Sequence, residues 1–135
     1  MNVRVAAALA LLLAADLPVL ADTAAPAPPP KPSRRGGMFT QQTGEDIYKG
    51  ICQGCHMPDA KGAVGAGMYP ALASDPNLET AGYPVGVIVK GQKAMPGFAD
   101  YFDDNQIANV VNYVRTHFGN KYRDKVKPED VKLMR

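Results

Sequence analysis

The stretch CQGCH, residues 52–56, is the feature that most restricts how this chain can fold. It contains both cysteines of the 135-residue chain. The part able to build a core, from Phe39 to Asn120, is small, about 80 residues, and a core of that size is marginal unless something reinforces it. A disulfide between cysteines three positions apart closes a very small loop and adds little stability. We therefore expect these side chains to hold something larger.

The pattern C-x-x-C-H is the attachment signature of c-type haem. Two cysteines three apart on a turn of helix can bond both vinyl groups of one porphyrin, and the imidazole that follows can bind its iron. The sequence thus predicts that Cys52 and Cys55 hold one covalent haem c and that His56 is an axial ligand of the iron. A central haem would also supply the missing core, so the haem-free chain is expected to be largely unfolded.

Three other roles for the motif are weaker. A redox-active cysteine pair usually opens a helix after a strand, whereas Cys52 ends a predicted helix and no sheet is evident. A structural zinc site needs four ligands, and the only other histidine, His117, lies far along the chain. A plain disulfide leaves His56 without a role.

Capping residues and apolar spacing predict an all-α fold of three or more helices joined by long loops. The first helix spans 43–52 and the second spans 84–90, ending at Gly91. The clearest begins with a capping box at Asp103, continues at helical spacing and ends at Gly119. Glycines make 57–74 mostly loop.

The ends of the chain differ from the part between them. Residues 1–21 have a basic start and an apolar run too short to span a bilayer, which predicts a cleaved secretory signal peptide and a periplasmic protein. Residues 22–37 hold five of the twelve prolines and are expected to form a linker. The predicted domain is 38–120, followed by a basic C-terminal tail, 121–135.

Charge excludes one class of function and leaves another open. The formal net charge is only +2, and basic clusters are few, so the chain does not look built for nucleic acid. From residue 115 onward there are 7 basic and 3 acidic residues. The tail is either a solvated segment with a short helix after Pro128, or a basic docking segment.

Over residues 43–119 the sequence resembles the class I (monohaem) cytochromes c. Gly44 and Tyr48 lie eight and four positions before the first cysteine, where that family has a small residue and an aromatic. Val110 and Tyr113 lie on the last helix, where the family's terminal helices cross. The resemblance implies a small all-α fold around one haem, with close approach at Gly44 and with Tyr48 near Tyr113.

The resemblance also implies the remaining site residues. Met95 stands in a Met-Pro-x-Phe setting like that of the family's ligand methionine, which makes it the expected sixth ligand. Met57 adjoins His56 and cannot reach the opposite haem face. The carbonyl of Pro70 is the expected acceptor for the second ring nitrogen of His56. Candidates for the haem pocket wall are Leu72, Tyr83, Val87, Ile88 and Phe98.

A His/Met pair leaves the iron no open position, so we expect a carrier of single electrons without catalytic residues and not an enzyme. Two alternatives stay open. One is a haem enzyme or gas sensor with a displaceable distal ligand, and the other is a thiol or metal module without haem.

The segments AMPGF, VVNYVRTHFGNKY and VKPEDV look like cytochrome subunits or partners of bacterial periplasmic dehydrogenases. That resemblance implies a dehydrogenase as electron donor and an oxidase or another cytochrome as acceptor. Lys61, Lys90 and Lys93 are candidates for a charged rim near the haem.

Overall fold

The computed structural model describes residues 38–65 and 67–135. The predicted signal peptide, 1–21, and the proline-rich linker, 22–37, lie outside the described residues. Within them the fold is mostly helical, with one short β-ribbon. The elements are α1 Gly44–Ile47, α2 Gln53–His56, β1 Ala63–Val64, β2 Met68–Tyr69, α3 Gly82–Lys90, α4 Asp104–Thr116 and α5 Pro128–Lys132.

The first predicted helix is present and runs further than expected. The side chain of Thr43 accepts a hydrogen bond from the Asp46 amide at 3.1 Å and caps α1 as predicted. The chain then continues through a π-helical turn, Tyr48–Cys52, directly into α2. Helix α2 ends at His56, and Met57, directly after it, has a positive φ of 67°. The motif cysteines and histidine therefore lie on one continuous helical segment.

The other two predicted helices are also confirmed. Helix α3 ends at Gly91, whose φ of 78° suits a glycine. Helix α4 begins with the predicted capping box, in which Asp103 and Gln106 bond each other's backbone amides at 2.8 and 2.9 Å.

Helix α4 ends at Thr116, earlier than the predicted end at Gly119. The side chain of Asn120 accounts for this early end, because it donates to the carbonyl oxygens of Val114 and Leu72, both at 2.8 Å. Phe118 and Gly119 then have positive φ values of 56° and 86°, which a continuing helix does not allow.

The segment predicted to be mostly loop contains the β-ribbon. Strands β1 and β2 pair antiparallel, with Ala63 opposite Tyr69 and Val64 opposite Met68. Two-residue strands produce no detectable alternation in a sequence. The strictly all-α expectation is therefore amended to a mostly helical fold with one small ribbon.

The core forms where α1 crosses α4. A Cβ built on Gly44 would lie 2.2 Å from the carbonyl oxygen of Asn109 and 2.6 Å from Cβ of Tyr113, so only glycine fits this crossing. The rings of Tyr48 and Tyr113 are 5.9 Å apart. Both contacts match the expectation from sequence. The buried apolar residues include Ile47, Tyr48, Leu78, Val85, Ile107, Val110, Val111 and Val131.

The C-terminal segment is not a solvated tail. Val126 and Val131 are buried in the core, and helix α5, which was predicted after Pro128, packs against α4. The side chain of Asn112 exchanges two hydrogen bonds of 2.9 Å with the backbone of Val126. Two isolated valines in a polar stretch gave no periodic signal, so the sequence did not reveal this packing.

A buried arginine holds the same segment. Arg115 is fully buried and donates to the carbonyl oxygens of Leu78 at 2.8 Å, Glu79 at 2.9 Å, and Asp124. It also binds the Asp124 carboxylate at 2.7 Å, and this hydrogen bond holds the pKa of Asp124 below its usual range.

Among residues 38–65 and 67–135, no helix is long and apolar enough to cross a bilayer.

Candidate functional site

The three residues of the C-x-x-C-H motif occupy successive parts of one helical segment. Cys52 closes the π-helical turn and is half-buried, and Cys55 lies exposed in α2. His56 is the last residue of α2 and is only 8% exposed. Side chains three positions apart share a helix face, so both sulfurs lie on the same side of the segment.

The environment of Cys52 does not suit thiol exchange. Burial raises the pKa of its thiol to about 12. A redox-active cysteine needs the opposite shift, because the thiolate is the nucleophile. Cys52 is therefore not suited to be the attacking thiol of a redox pair. Across the part of the chain that the structure describes, no group of three or more His, Cys, Asp and Glu side chains could hold a metal ion.

The imidazole of His56 is held through one ring nitrogen. Its Nδ1 lies 2.9 Å from the carbonyl oxygen of Pro70, the residue that the sequence analysis named. A carbonyl oxygen only accepts, so the proton of the neutral ring is on Nδ1 and the lone pair is on Nε2. Among the described residues Nε2 has no hydrogen-bond partner. This tautomer leaves Nε2 ready to bind a metal.

Gly62 fixes the other end of the loop that supports His56, and sequence reasoning did not find it. Its amide donates to the carbonyl oxygen of His56 at 3.1 Å. Its φ is 67°, and a Cβ there would lie 2.1 Å from the carbonyl oxygen of Tyr69. The loop that contains the β-ribbon is therefore hydrogen-bonded to His56 at both ends. Gly62 bonds the His56 backbone, and Pro70 bonds its side chain. In the sequence Gly62 is one of three glycines between the motif and the Tyr69-Pro70 pair, and no local signal distinguishes it.

The tyrosine four positions before the motif also supports this region. The hydroxyl of Tyr48 donates to the carbonyl oxygen of Met57 at 2.7 Å, directly after the helix that carries His56. Burial is the main reason that the pKa of Tyr48 rises to about 12, so the hydroxyl stays protonated.

Met95 lies in a tight loop between α3 and α4. Its amide and carbonyl exchange two 3.0 Å hydrogen bonds with Gln92, and the Phe98 amide donates to the carbonyl oxygen of Ile88 at 2.7 Å. A Cβ on Gly97 would lie 2.9 Å from the carbonyl carbon of Lys90. These contacts fix the backbone conformation of the loop. The Met95 side chain is half-buried.

The residues expected to form the pocket wall are incompletely covered. Leu72, Val87, Ile88 and Phe98 are only partly buried, and Tyr83 is 44% exposed. Beside them, Tyr83, Gly86 and Val87 help to line an open groove of about 330 Å³. Partly covered aliphatic and aromatic side chains are groups that a large apolar macrocycle could cover.

The side chains of the C-x-x-C-H motif also fit such a macrocycle. Two thiols and an imidazole with a free Nε2, all on one helical segment, are the groups to which a c-type haem attaches. The arrangement is that of a c-type cytochrome domain. Comparison with known proteins agrees: the family model described as "Cytochrome C oxidase, cbb3-type, subunit III" matches residues 39–114, and the chain belongs to this family. It accordingly carries covalently bound haem c.

Several relatives are cytochrome subunits of dehydrogenases. The cytochrome c subunit of alcohol dehydrogenase (quinone) from Gluconacetobacter polyoxogenes is 36% identical over 105 residues, covering 68% of this chain and 22% of that protein. The gluconate 2-dehydrogenase cytochrome c subunit of Pantoea cypripedii is 31% identical over 106 residues, covering 70% and 24%. The chain thus spans less than a quarter of the length of these relatives. The resemblance to such subunits seen in the sequence is confirmed.

Among solved structures, cytochrome c6 from the diatom Phaeodactylum tricornutum is 28% identical. The match covers 56% of this chain and 90% of that one, with a TM-score of 0.47.

Proposed function

We propose that this protein relays single electrons through one covalent haem c and has no catalytic residue of its own. Haem iron, when bound, takes up and gives up one electron. The observation that carries the proposal is the state of His56, which is buried, held at Nδ1 by Pro70 and free at Nε2. A ligand fixed in one tautomer and one orientation reorganises little when the charge at the metal changes.

Cys52 and Cys55 are the proposed attachment residues. They lie on one face of the helical segment that ends in His56, so a group bonded to both sulfurs is also placed beside the imidazole. The half-buried position of Cys52 and the exposed position of Cys55 would put one edge of that group inside the fold and the other near solvent. An exposed edge is what electron exchange with another protein needs.

Met95 is the proposed sixth ligand. Its loop is held by the Gln92 pair and by Phe98, so the thioether is supplied by a fixed backbone. A thioether is a weak neutral ligand that favours the ferrous state and raises the reduction potential. If His56 and Met95 both bound the haem iron, no position would be left for a substrate, which would favour a carrier over a catalyst.

The relatives and the sequence support a proposal for the partners and the location. We propose that a dehydrogenase donates the electron and that an oxidase or another cytochrome accepts it, since the relatives described above are dehydrogenase cytochrome subunits. Residues 1–21 would direct export to the periplasm, and residues 22–37 would act as a spacer. The fold proposed for residues 38–120 is the class I cytochrome c type.

Potentiometric titration of a Met95→His variant tests the ligand assignment. Replacing the thioether by a second imidazole is expected to lower the reduction potential. Met68→His is the matched control, because Met68 is 71% exposed on β2 and is not a proposed ligand. A potential that falls only in Met95→His supports the assignment. Equal potentials in wild type and Met95→His would refute it.

A further inference from the structure

The loop that carries Met95 is joined to α4 by a turn, residues 99–103. Two carbonyl oxygens of this turn, those of Ala99 and Phe102, accept no hydrogen bond from a backbone amide of the described residues. Both accept instead from the side chain of Arg135, which lies more than thirty positions later in the chain. The conformation of the turn therefore depends on a distant side chain.

The guanidinium of Arg135 binds this turn and the start of α4 at three points. Its Nη2 donates to the Phe102 carbonyl oxygen at 2.7 Å, and its Nη1 donates to the Ala99 carbonyl oxygen. Its Nε donates to the Asp104 carboxylate at 2.5 Å. The two charged side chains are only 29% and 30% exposed, so solvent screens this ion pair incompletely. A planar guanidinium with several donors suits such a set of acceptors.

Helix α5 holds Arg135 in place. The helix packs against both α3 and α4, and its Val131 is fully buried. After the helix, the Met134 amide donates to the Val131 carbonyl oxygen at 2.9 Å. A Cβ built on Gly82 would lie 3.1 Å from Cε of Met134, so this methionine lies against the first turn of α3. The end of α5 thus contacts the elements on both sides of the Met95 loop.

The contact of Arg135 with the turn reaches the ligand loop through two aromatic rings. Phe102 is 3% exposed, and its ring stacks on that of Phe98 with 5.3 Å between the centroids. Phe98 follows Met95 by three positions, and its amide ties the loop to Ile88 of α3. A shift of the turn would therefore move Phe98 and the loop that contains Met95.

We propose that Arg135 is a positioning residue for Met95, because it fixes the turn through which the ligand loop would swing away. The proposal rests on the proposed role of Met95 as sixth ligand. Arg135 lies outside residues 39–114, the part matched by the family model, so the brace comes from beyond the matched domain. Without its hydrogen bonds, the fraction of molecules in which Met95 has left its position would rise.

Imidazole, titrated into the oxidised, haem-loaded full-length protein and followed by absorbance, measures that fraction. It can take the sixth position only when Met95 has left it, so its apparent affinity scales with the open fraction. Arg135→Gln removes the charge-assisted hydrogen bonds and should tighten imidazole binding about tenfold. Arg135→Lys keeps the charge but not the planar fork, and its affinity should fall between those of wild type and Arg135→Gln.

Two controls separate positioning from charge and from general destabilisation. Lys132→Gln removes the same charge from an exposed position of α5. Gly44→Ala acts at the crossing of α1 and α4 and should lower the stability of the whole domain. Imidazole affinity should change less than about twofold in both. Far-UV circular dichroism shows whether each variant is folded, and Arg135→Lys decides the question if Arg135→Gln is not.

Met95→Ala separates failure of the brace from failure of the ligand assignment. It should bind imidazole more tightly than Arg135→Gln does. If Met95→Ala binds tightly while the Arg135 variants match wild type, the brace is refuted and the assignment stands. If Met95→Ala also matches wild type, the ligand assignment fails and the brace fails with it. Equal tightening in Gly44→Ala and Arg135→Gln would also overturn the proposal, because general destabilisation would then explain both.

Discussion

Replacing Arg115 by methionine should destabilise the protein far more than any exposed arginine substitution. The side chain is fully buried at the end of α4. Its N–H groups donate hydrogen bonds to carbonyl groups in two other parts of the chain. Methionine keeps much of the apolar volume but donates no hydrogen bond. The segment that follows α4 would lose its main polar anchor, while α4 itself would keep its capping box and apolar face.

The magnitude follows from the groups left without a donor. The carbonyl oxygen of Leu78 is buried, and a buried acceptor left unpaired costs about 1–3 kcal/mol. The carbonyls of Glu79 and Asp124 are half-buried and can be partly rehydrated, adding about 1 kcal/mol together. The total is about 2–4 kcal/mol, which for a domain of this size lowers Tm by about 10–30 °C.

Urea unfolding of the haem-loaded protein, followed by far-UV circular dichroism, measures the loss. Arg123→Met is the matched control, since Arg123 is exposed, and it should stay within about 0.5 kcal/mol of wild type. Asp124→Asn keeps the carbonyl contacts of Arg115 and should cost less than Arg115→Met. If Arg115→Met unfolds at the same urea concentration as Arg123→Met, the anchoring role is refuted.

Three further predictions concern single residues. Gly44→Ala places a Cβ 2.2 Å from the Asn109 carbonyl oxygen and should cost about 1–3 kcal/mol in urea unfolding; wild-type stability would contradict the helix crossing. Gly62→Ala displaces the Tyr69 carbonyl and with it the support of His56, so the reduction potential should shift; an unchanged potential would show that the loop does not act on the ligand. Asp124 has a lowered pKa, so its contribution is present above the unfolded value near 3.9 and is lost as pH falls through the lower folded value. Asp124→Asn and wild type should therefore converge in stability at acid pH, and a constant difference from neutral to acid pH would contradict this.

The helices were predictable because their signals are local. Thr43 with Asp46, and Asp103 with Gln106, are caps that the sequence displays within four residues, and both form as predicted. The cysteine pair and His56 are equally local, since one helical segment carries them. These parts of the fold and of the candidate site needed no knowledge of tertiary contacts.

Arg115 was missed because a basic residue in the last turn of a helix is ordinarily a solvated charge beside the helix dipole. Its burial depends on carbonyl groups more than thirty positions earlier and on Asp124, which no local pattern connects. Gly62 was missed for a similar reason, since its close approach to Tyr69 exists only once the ribbon has formed. Long-range contacts of this kind decided the course of residues 121–135 and the support of His56.

Carbon monoxide binding to the reduced protein near neutral pH tests the central claim most directly, because it asks whether Met95 closes the second axial position. Wild type and the exposed-site control Met68→Ala should keep their absorption spectra, whereas Met95→Ala should bind carbon monoxide rapidly and fully. Rapid, full binding by wild type would contradict the proposed carrier and favour a haem enzyme or gas sensor.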